Sequence, residues 1–198
     1  MKGKFITFEG GEGSGKTTQS KLLVEYLLMQ NIDAIWTREI GGSDIAEQIR
    51  TIILHNKMDS MTELLLVMSA RYDHVNNVIL PALKNGITVV CDRFIDSTLC
   101  YQGEVLGIQK VMDLHKEIFG DLMPDVTFFI DVPVYEGLRR AGIRGDNNKF
   151  EEASIEIHEK LRKNFNQLVD IFPNRITRVD GMLTPENLFK EIKNILFL

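Results

Sequence analysis

Short apolar runs alternate with longer segments of helical period along the whole chain. Residues 4–8 read as a short buried strand, and residues 16–30 carry apolar positions at helical spacing. Residues 34–37 form a second apolar run, and Ser43 or Asp44 caps the helix that follows, with Asp44 and Glu47 at capping-box spacing. Residues 59–84 predict one long helix, stopped by Asn85-Gly86, and residues 87–91 are apolar throughout, as in a strand covered on both faces. A helix over 110–119 ends at Gly120, a strand covers 125–130, and Pro133 stands near the start of another helix. Residues 155–171 are helical and stop before Pro173. Residues 175–179 make a fifth strand, and Thr184-Pro185 opens the last helix with a cap followed by a first-turn proline. Alternation of this kind predicts an α/β fold in three layers, a five-stranded parallel sheet with helices on both faces. No repeat, linker or compositional shift divides residues 1–198, so a single domain is expected. Ligands of such sheets bind at the carboxyl ends of the strands.

The first strand and first helix bracket Gly10-Gly11-Glu12-Gly13-Ser14-Gly15-Lys16-Thr17, which fits G-x-x-x-x-G-K-[ST] at every fixed position. Glycines let backbone N–H groups converge on phosphates without side-chain clash, and the helix start adds unpaired donors and the positive end of a dipole. Lys16 is placed to reach the outer phosphates of a nucleoside triphosphate and Thr17 to ligate Mg²⁺. The competing reading is a glycine-rich turn with no ligand. The strand before the motif and the helix after it weigh against that.

Two further strand ends carry charge. Arg38-Glu39 follows the second strand and Asp92-Arg93 the third. An arginine fork matches phosphate oxygens in a bidentate way. Arg38 and Arg93 beside Lys16 therefore predict a second anionic group opposite the triphosphate. Asp92 ends a buried strand, where a carboxylate can complete the Mg²⁺ site begun by Thr17.

Charge and cysteine usage narrow the partners. The net charge is −5, which argues against a dedicated nucleic-acid binder. No apolar run approaches a membrane span, and Met1-Lys2-Gly3-Lys4 leads straight into a strand without a signal-like apolar stretch. Cys91 and Cys100 lack metal-ligand spacing, and Cys91 reads as a core hydrophobe. A reducing, cytoplasmic location is expected. The four histidines share no spacing and read as surface or structural residues.

Several segments, taken together, resemble bacterial thymidylate kinases: Glu9-Gly10 with Glu12 in the phosphate loop, the run from Thr37 to Gly42, Ser69-Ala70-Arg71, and the run from Asp92 to Gly103. The likeness spans almost the whole chain. It implies transfer of the γ-phosphoryl group of ATP to dTMP with Mg²⁺, on the way to dTTP, by a homodimer packed through residues 60–80 and 110–118. In that resemblance Gly10 to Thr17, with Thr18, bind ATP. Glu12 faces the sugar 3′-hydroxyl or places the arginine that holds the acceptor phosphate. Arg38 and Arg93 hold the monophosphate, Arg71 contacts the thymine carbonyl edge, and Val67, Ser97, Thr98 and Gln102 line the same pocket. Tyr101 lies against the sugar, where a ribose 2′-hydroxyl would clash. Catalysis falls to Lys16, Glu12, Arg93 and the arginines of a lid at about 139–150, Arg140 and Arg144. The loop carries Ser14 where some relatives have a basic residue, which goes with a lid that supplies the arginines. The adenine is expected between the lid and Asp180-Gly181.

Three features depart from the family pattern, two single positions and the lid. Ile40 stands where proline is usual. A cis bond before a non-proline residue costs about 2.5–4 kcal/mol, so a trans bond or a rearranged loop is expected there. Val67 replaces an aromatic residue, so either weaker thymine binding or compensation by Met68 or Phe94 is expected. The lid has Gly142, Asn148 and Lys149 at positions where arginine, aspartate and arginine are common. Two other readings stand beside the main one: a kinase for another (deoxy)nucleoside monophosphate, and a P-loop regulatory module, which needs no acceptor pocket.

Overall fold

A computed structural model describes residues 3–144 and 153–197. The first strand alternates its side chains between two cores, as a strand covered on both faces must. In β1 (Phe5–Glu9) Phe5 joins one apolar cluster while Ile6 and Phe8 join the other. The same division runs through β3 (Thr88–Asp92), where Val89 and Cys91 oppose Val90, and through β4 (Val126–Asp131), where Phe129 opposes Phe128 and Ile130. With β2 (Ala34–Arg38) and β5 (Ile176–Asp180) they form a five-stranded sheet in the order β2-β3-β1-β4-β5, every pair parallel. The three-layer α/β expectation holds.

Helix α1 (Lys16–Met29) packs Leu23 and Leu27 into one core together with Leu188 and Ile192 of α10 (Pro185–Leu196). The opposite core receives Leu64 and Met68 of α3 (Ser60–His74), Val111 of α7 (Ile108–Phe119), and Leu161 and Phe165 of α9 (Ile155–Ile171). The long helix expected over 59–84 is present, but it is not uniform. Asp59 caps α3 by accepting from the N–H groups of Met61 and Thr62. A π-helical turn, Val75–Ile79, then joins α3 to α4 (Leu80–Lys84). Pro81, which has no N–H to give, thereby falls in the first turn of α4, where no donor is needed.

Two short helices, α5 (Ile95–Tyr101) and α6 (Gly103–Leu106), fill the stretch after β3, where the apolar pattern predicts no element. The capping box at α2 (Asp44–His55) does not form. Ser43 is the N-cap residue, its hydroxyl donates to Asp73 at 2.6 Å, and Glu47 instead accepts from the Gly42 N–H and from Arg38. Helix α8 (Val134–Arg144) extends into the expected lid, so Arg139 and Arg140 are helical. Arg144 ends that helix, and its side chain, with residues 145–150 of the lid, lies outside the described residues.

Candidate functional site: two facing anion pockets

The loop between β1 and α1 is shaped by glycine. Gly10, Gly13 and Gly15 have φ of +145°, +66° and +100°, which side chains rarely adopt. Gly13 also meets α8 closely, since a Cβ on it would lie 1.9 Å from the Gly137 carbonyl. Lys16 is buried, and its ammonium donates to the Gly11 carbonyl at 2.7 Å and to Ser14 Oγ at 3.2 Å. Burial pushes its pKa down to about 8, with Arg93 adding to the effect and Glu12 and Asp92 opposing it. Thr17 Oγ1 donates to Asp92 Oδ2, so the two residues expected to share a metal meet. Among the described residues no group of three or more acidic, histidine or cysteine side chains is arranged to hold a metal ion. A hydroxyl and one carboxylate beside a phosphate loop suit Mg²⁺, which keeps waters and takes its remaining ligands from substrate phosphates. Thr18, one turn into the helix, lines a broad depression of about 500 Å³ with Gly13, Arg140, Gly181 and Thr184. Arg140 spans that depression, donating to Glu136 at 2.7 Å and to the Gly181 carbonyl at 2.9 Å.

Arg93 joins this loop to a second pocket. It follows β3 with φ of +71°, and its Nη1 donates to the Gly10 carbonyl at 2.9 Å and to Ser97 Oγ at 3.0 Å. Its Nη2 donates to Glu12 Oε1 at 2.6 Å. Burial opposes its charge, but Tyr101, Glu12, Glu9 and Asp92 around it outweigh burial and raise its pKa above the ordinary arginine value. Its conformation is fixed by Glu9, at the end of β1, which accepts from the N–H groups of Phe94 and Ser97 and from Ser97 Oγ. Burial, with Asp96 nearby, lifts the Glu9 carboxyl to about 7.

The second pocket, about 120 Å³, is lined by Glu12, Arg93, Ser97, Thr98, Tyr101 and Gln102, by Val67 and Arg71 of α3, and by Glu39, Ile40, Arg50, Leu54 and Phe94. Its floor is an ionic network. Arg71 is 2% exposed and donates through Nε to Glu39 at 2.7 Å and through Nη2 to Thr98 at 2.8 Å. Its guanidinium carbon lies 4.8 Å from the centre of the Phe94 ring. His74 bridges Glu39 at 3.0 Å and Thr37 at 2.6 Å. Burial opposes ionisation of Glu39, but Arg71 and His74 outweigh it and hold the carboxyl below its usual range. The aromatic wall missing at Val67 is thus present at Phe94, while Met68 receives only a long contact from Arg71.

Two expectations about the β2 end need correction. The Glu39–Ile40 bond is cis, not trans. The general preference yields to the local bonds on either side, the Glu39 carboxylate held by Arg71 and His74 and the Ile40 carbonyl accepting from Arg50 at 2.7 Å. Arg38 does not reach the pocket, because its guanidinium is paired with Glu47 of α2 at 2.8 Å and is 41% exposed. Arg50 lines the pocket instead. Arg50 belongs to no motif, but it falls between Ala46 and Ile53 on the buried stripe of α2, and a charge within such a stripe is the signal that finds it. His74, His115 and His158 are buried, as structural histidines are, and both cysteines are buried free thiols.

A family model described as Thymidylate kinase matches residues 8–192. A thymidylate kinase of Rickettsia africae (strain ESF-5) is 49% identical over 195 residues, covering 97% of this chain and 96% of the relative. One from Orientia tsutsugamushi (strain Ikeda) is 48% identical over 201 residues, covering 98% of this chain and 93% of the relative. The crystal structure of thymidylate kinase from Ehrlichia chaffeensis superposes with a TM-score of 0.80 at 32% identity, covering 99% of each chain. A phosphate loop adjoins a pocket lined by three arginines, and the relatives agree over nearly the full length: this chain belongs to the thymidylate kinase family.

Proposed function

We propose that the two pockets are the donor and acceptor sites of the family's reaction, transfer of the γ-phosphoryl group of ATP to dTMP, giving dTDP and ADP. The observation that carries this reading is Arg93. It binds the phosphate loop through Gly10 and Glu12 and lines the acceptor pocket, so one guanidinium stands between donor and recipient. A hydrolase or a binding module has no use for a second pocket.

The protein's part in such a transfer is positioning and charge neutralisation. The loop from Gly10 to Thr18 cradles the ATP phosphates, and Lys16 leaves its carbonyl partner for the outer phosphate oxygens. Thr17 and Asp92 would hold Mg²⁺, which supplies charge neutralisation between the phosphates. Arg93 grips the acceptor phosphate, with Arg50 close by, and Glu12 keeps Arg93 in place and faces the sugar. Arg38 acts at one remove, bracing Glu47 and through it Gly42. Phe94 and Val67 sandwich the base, Arg71 and Thr98 meet its carbonyl edge, and Tyr101 closes against the sugar. Arg140 stands over the ATP depression, where adenine fits between α8 and the turn at Gly181. Arg144 and the rest of the lid complete the donor side.

The working unit is a single domain and a homodimer. Leu65 and Tyr72 of α3 and Ile118 of α7 are large apolar side chains exposed on the helices expected to pack together. No helix among the described residues is long and apolar enough to cross a membrane, and the buried free thiols suit the cytoplasm. The test is a coupled ADP-release assay across monophosphates. ADP release that needs dTMP is expected. Equal release without any acceptor would defeat the reading.

A further inference from the structure

The side chain of Gln102, at the junction of α5 and α6, has one hydrogen bond to the chain among the described residues. Its Nε2 donates to Oε1 of Glu63, on the first turn of α3, at 2.5 Å. A carboxylate has acceptors only, so this contact decides which way the amide faces: nitrogen to Glu63, oxygen away from it. Gln102 is buried and lines the acceptor pocket, and its Oε1 is not among the buried atoms left without a partner. That oxygen is therefore not sealed in the core, and the pocket is the cavity that Gln102 lines. Beside it, Arg71 offers donors only.

We infer that Glu63, which does not itself line the pocket, is a specificity-determining positioning residue: it locks the Gln102 amide so that the pocket presents an acceptor to the base ring nitrogen. The inference rests on the reading of this pocket as the nucleoside monophosphate site. Thymine carries N–H at ring position 3 and a carbonyl at position 4. An acceptor from Gln102 and a donor from Arg71 match that order. Cytosine reverses it, with a bare acceptor nitrogen at position 3 and an amino group at position 4. With the amide locked, cytosine meets acceptor against acceptor and donor against donor. A site whose polar groups are left unpaired by the wrong substrate discriminates strongly.

The test uses the full chain with saturating ATP and compares kcat/KM for dTMP and dCMP. In Glu63→Gln the new amide can donate or accept, and Gln102 is free to turn. The ratio of kcat/KM for dTMP over dCMP is expected to fall about tenfold, through the KM values, as one hydrogen bond of the wrong polarity becomes avoidable. The double variant Glu63→Gln with Gln102→Glu exchanges the two groups. Its carboxylate at position 102 accepts from the amide at 63 and still offers an acceptor to the pocket, so the preference for dTMP should return. A ratio unchanged in the single variant, or unrestored in the double, overturns the inference. A wild-type enzyme that transfers nothing to dTMP overturns the functional reading itself, and the control reaction separates the two failures.

Discussion

At the residue scale, the buried ion pair of Arg71 and Glu39 ties the proposed acceptor pocket to folding. Removing one partner of such a pair leaves a desolvated charge, so Arg71→Leu is expected to cost about 3–5 kcal/mol of stability, read as a lower urea midpoint, besides loss of dTMP binding. The carboxyl of Glu39 is held below its ordinary value in the folded state. Its contribution is therefore present above the unfolded pKa and fades as acid protonates it below that range. Lys16 gives the opposite sign in binding. Its pKa is pushed down to about 8, and a bound polyphosphate favours the charged form, so ATP binding takes up a proton at and above pH 8. Calorimetry at pH 8.5 in buffers of different ionisation enthalpy should show this uptake, and the same titration at pH 7 should show far less. No uptake at the higher pH would mean that Lys16 does not meet the phosphates. Most of these residues were legible in the chain, because glycine spacing and charges at strand ends have few other uses. Arg50 and Glu63 were not. Arg50 shows only as a charge on the buried stripe of α2 and Glu63 stands at ordinary first-turn spacing, and neither position says which groups it meets until α2 packs on α3 and α3 on α6.

At the element scale, the strands and long helices were legible because each has one period and a chemical stop, such as Gly120 or the cap at Thr184. The short helices α5 and α6 were not, since Phe94, Ile95, Leu99 and Cys100 are buried in a stretch too short to show a period. Arg38 was misplaced for a related reason: sequence shows that it ends β2 but not that Glu47, from the next helix, captures it. The contact between α8 and the phosphate loop offers a test at this scale. A Cβ on Gly137 would lie 2.5 Å from the Glu12 carbonyl. Gly137→Ala favours the helix by about 0.5–1 kcal/mol, yet it must push α8 off the loop and Arg140 with it. The expected result is a folded enzyme whose KM for ATP rises severalfold while its KM for dTMP moves less. Equal rises in both would show that α8 does not belong to the donor side alone.

At the scale of the whole molecule, α3 has two faces with different tasks. Its inner face supplies Val67 and Arg71 to the proposed acceptor pocket, and its outer face exposes Leu65 and Tyr72, at 54% and 56%. Large apolar side chains exposed on one helix, with Ile118 of α7 near the Tyr72–Phe119 contact, suit a partner of the same shape. A second copy packed there would hold α3 from behind and keep Arg71 aligned with Glu39 and Thr98. Sedimentation equilibrium is expected to give about twice the chain mass of 22.6 kDa. The double variant Leu65→Asp with Tyr72→Asp, two charges at positions already exposed in the single chain, should sediment as a monomer and stay folded by circular dichroism. Its KM for dTMP should rise more than its KM for ATP, because the donor loop is built from β1, α1 and α8, away from the altered face. A monomeric variant with both KM values unchanged would mean that association leaves the acceptor pocket untouched, and a monomeric wild-type chain would mean that α3 needs no support from behind.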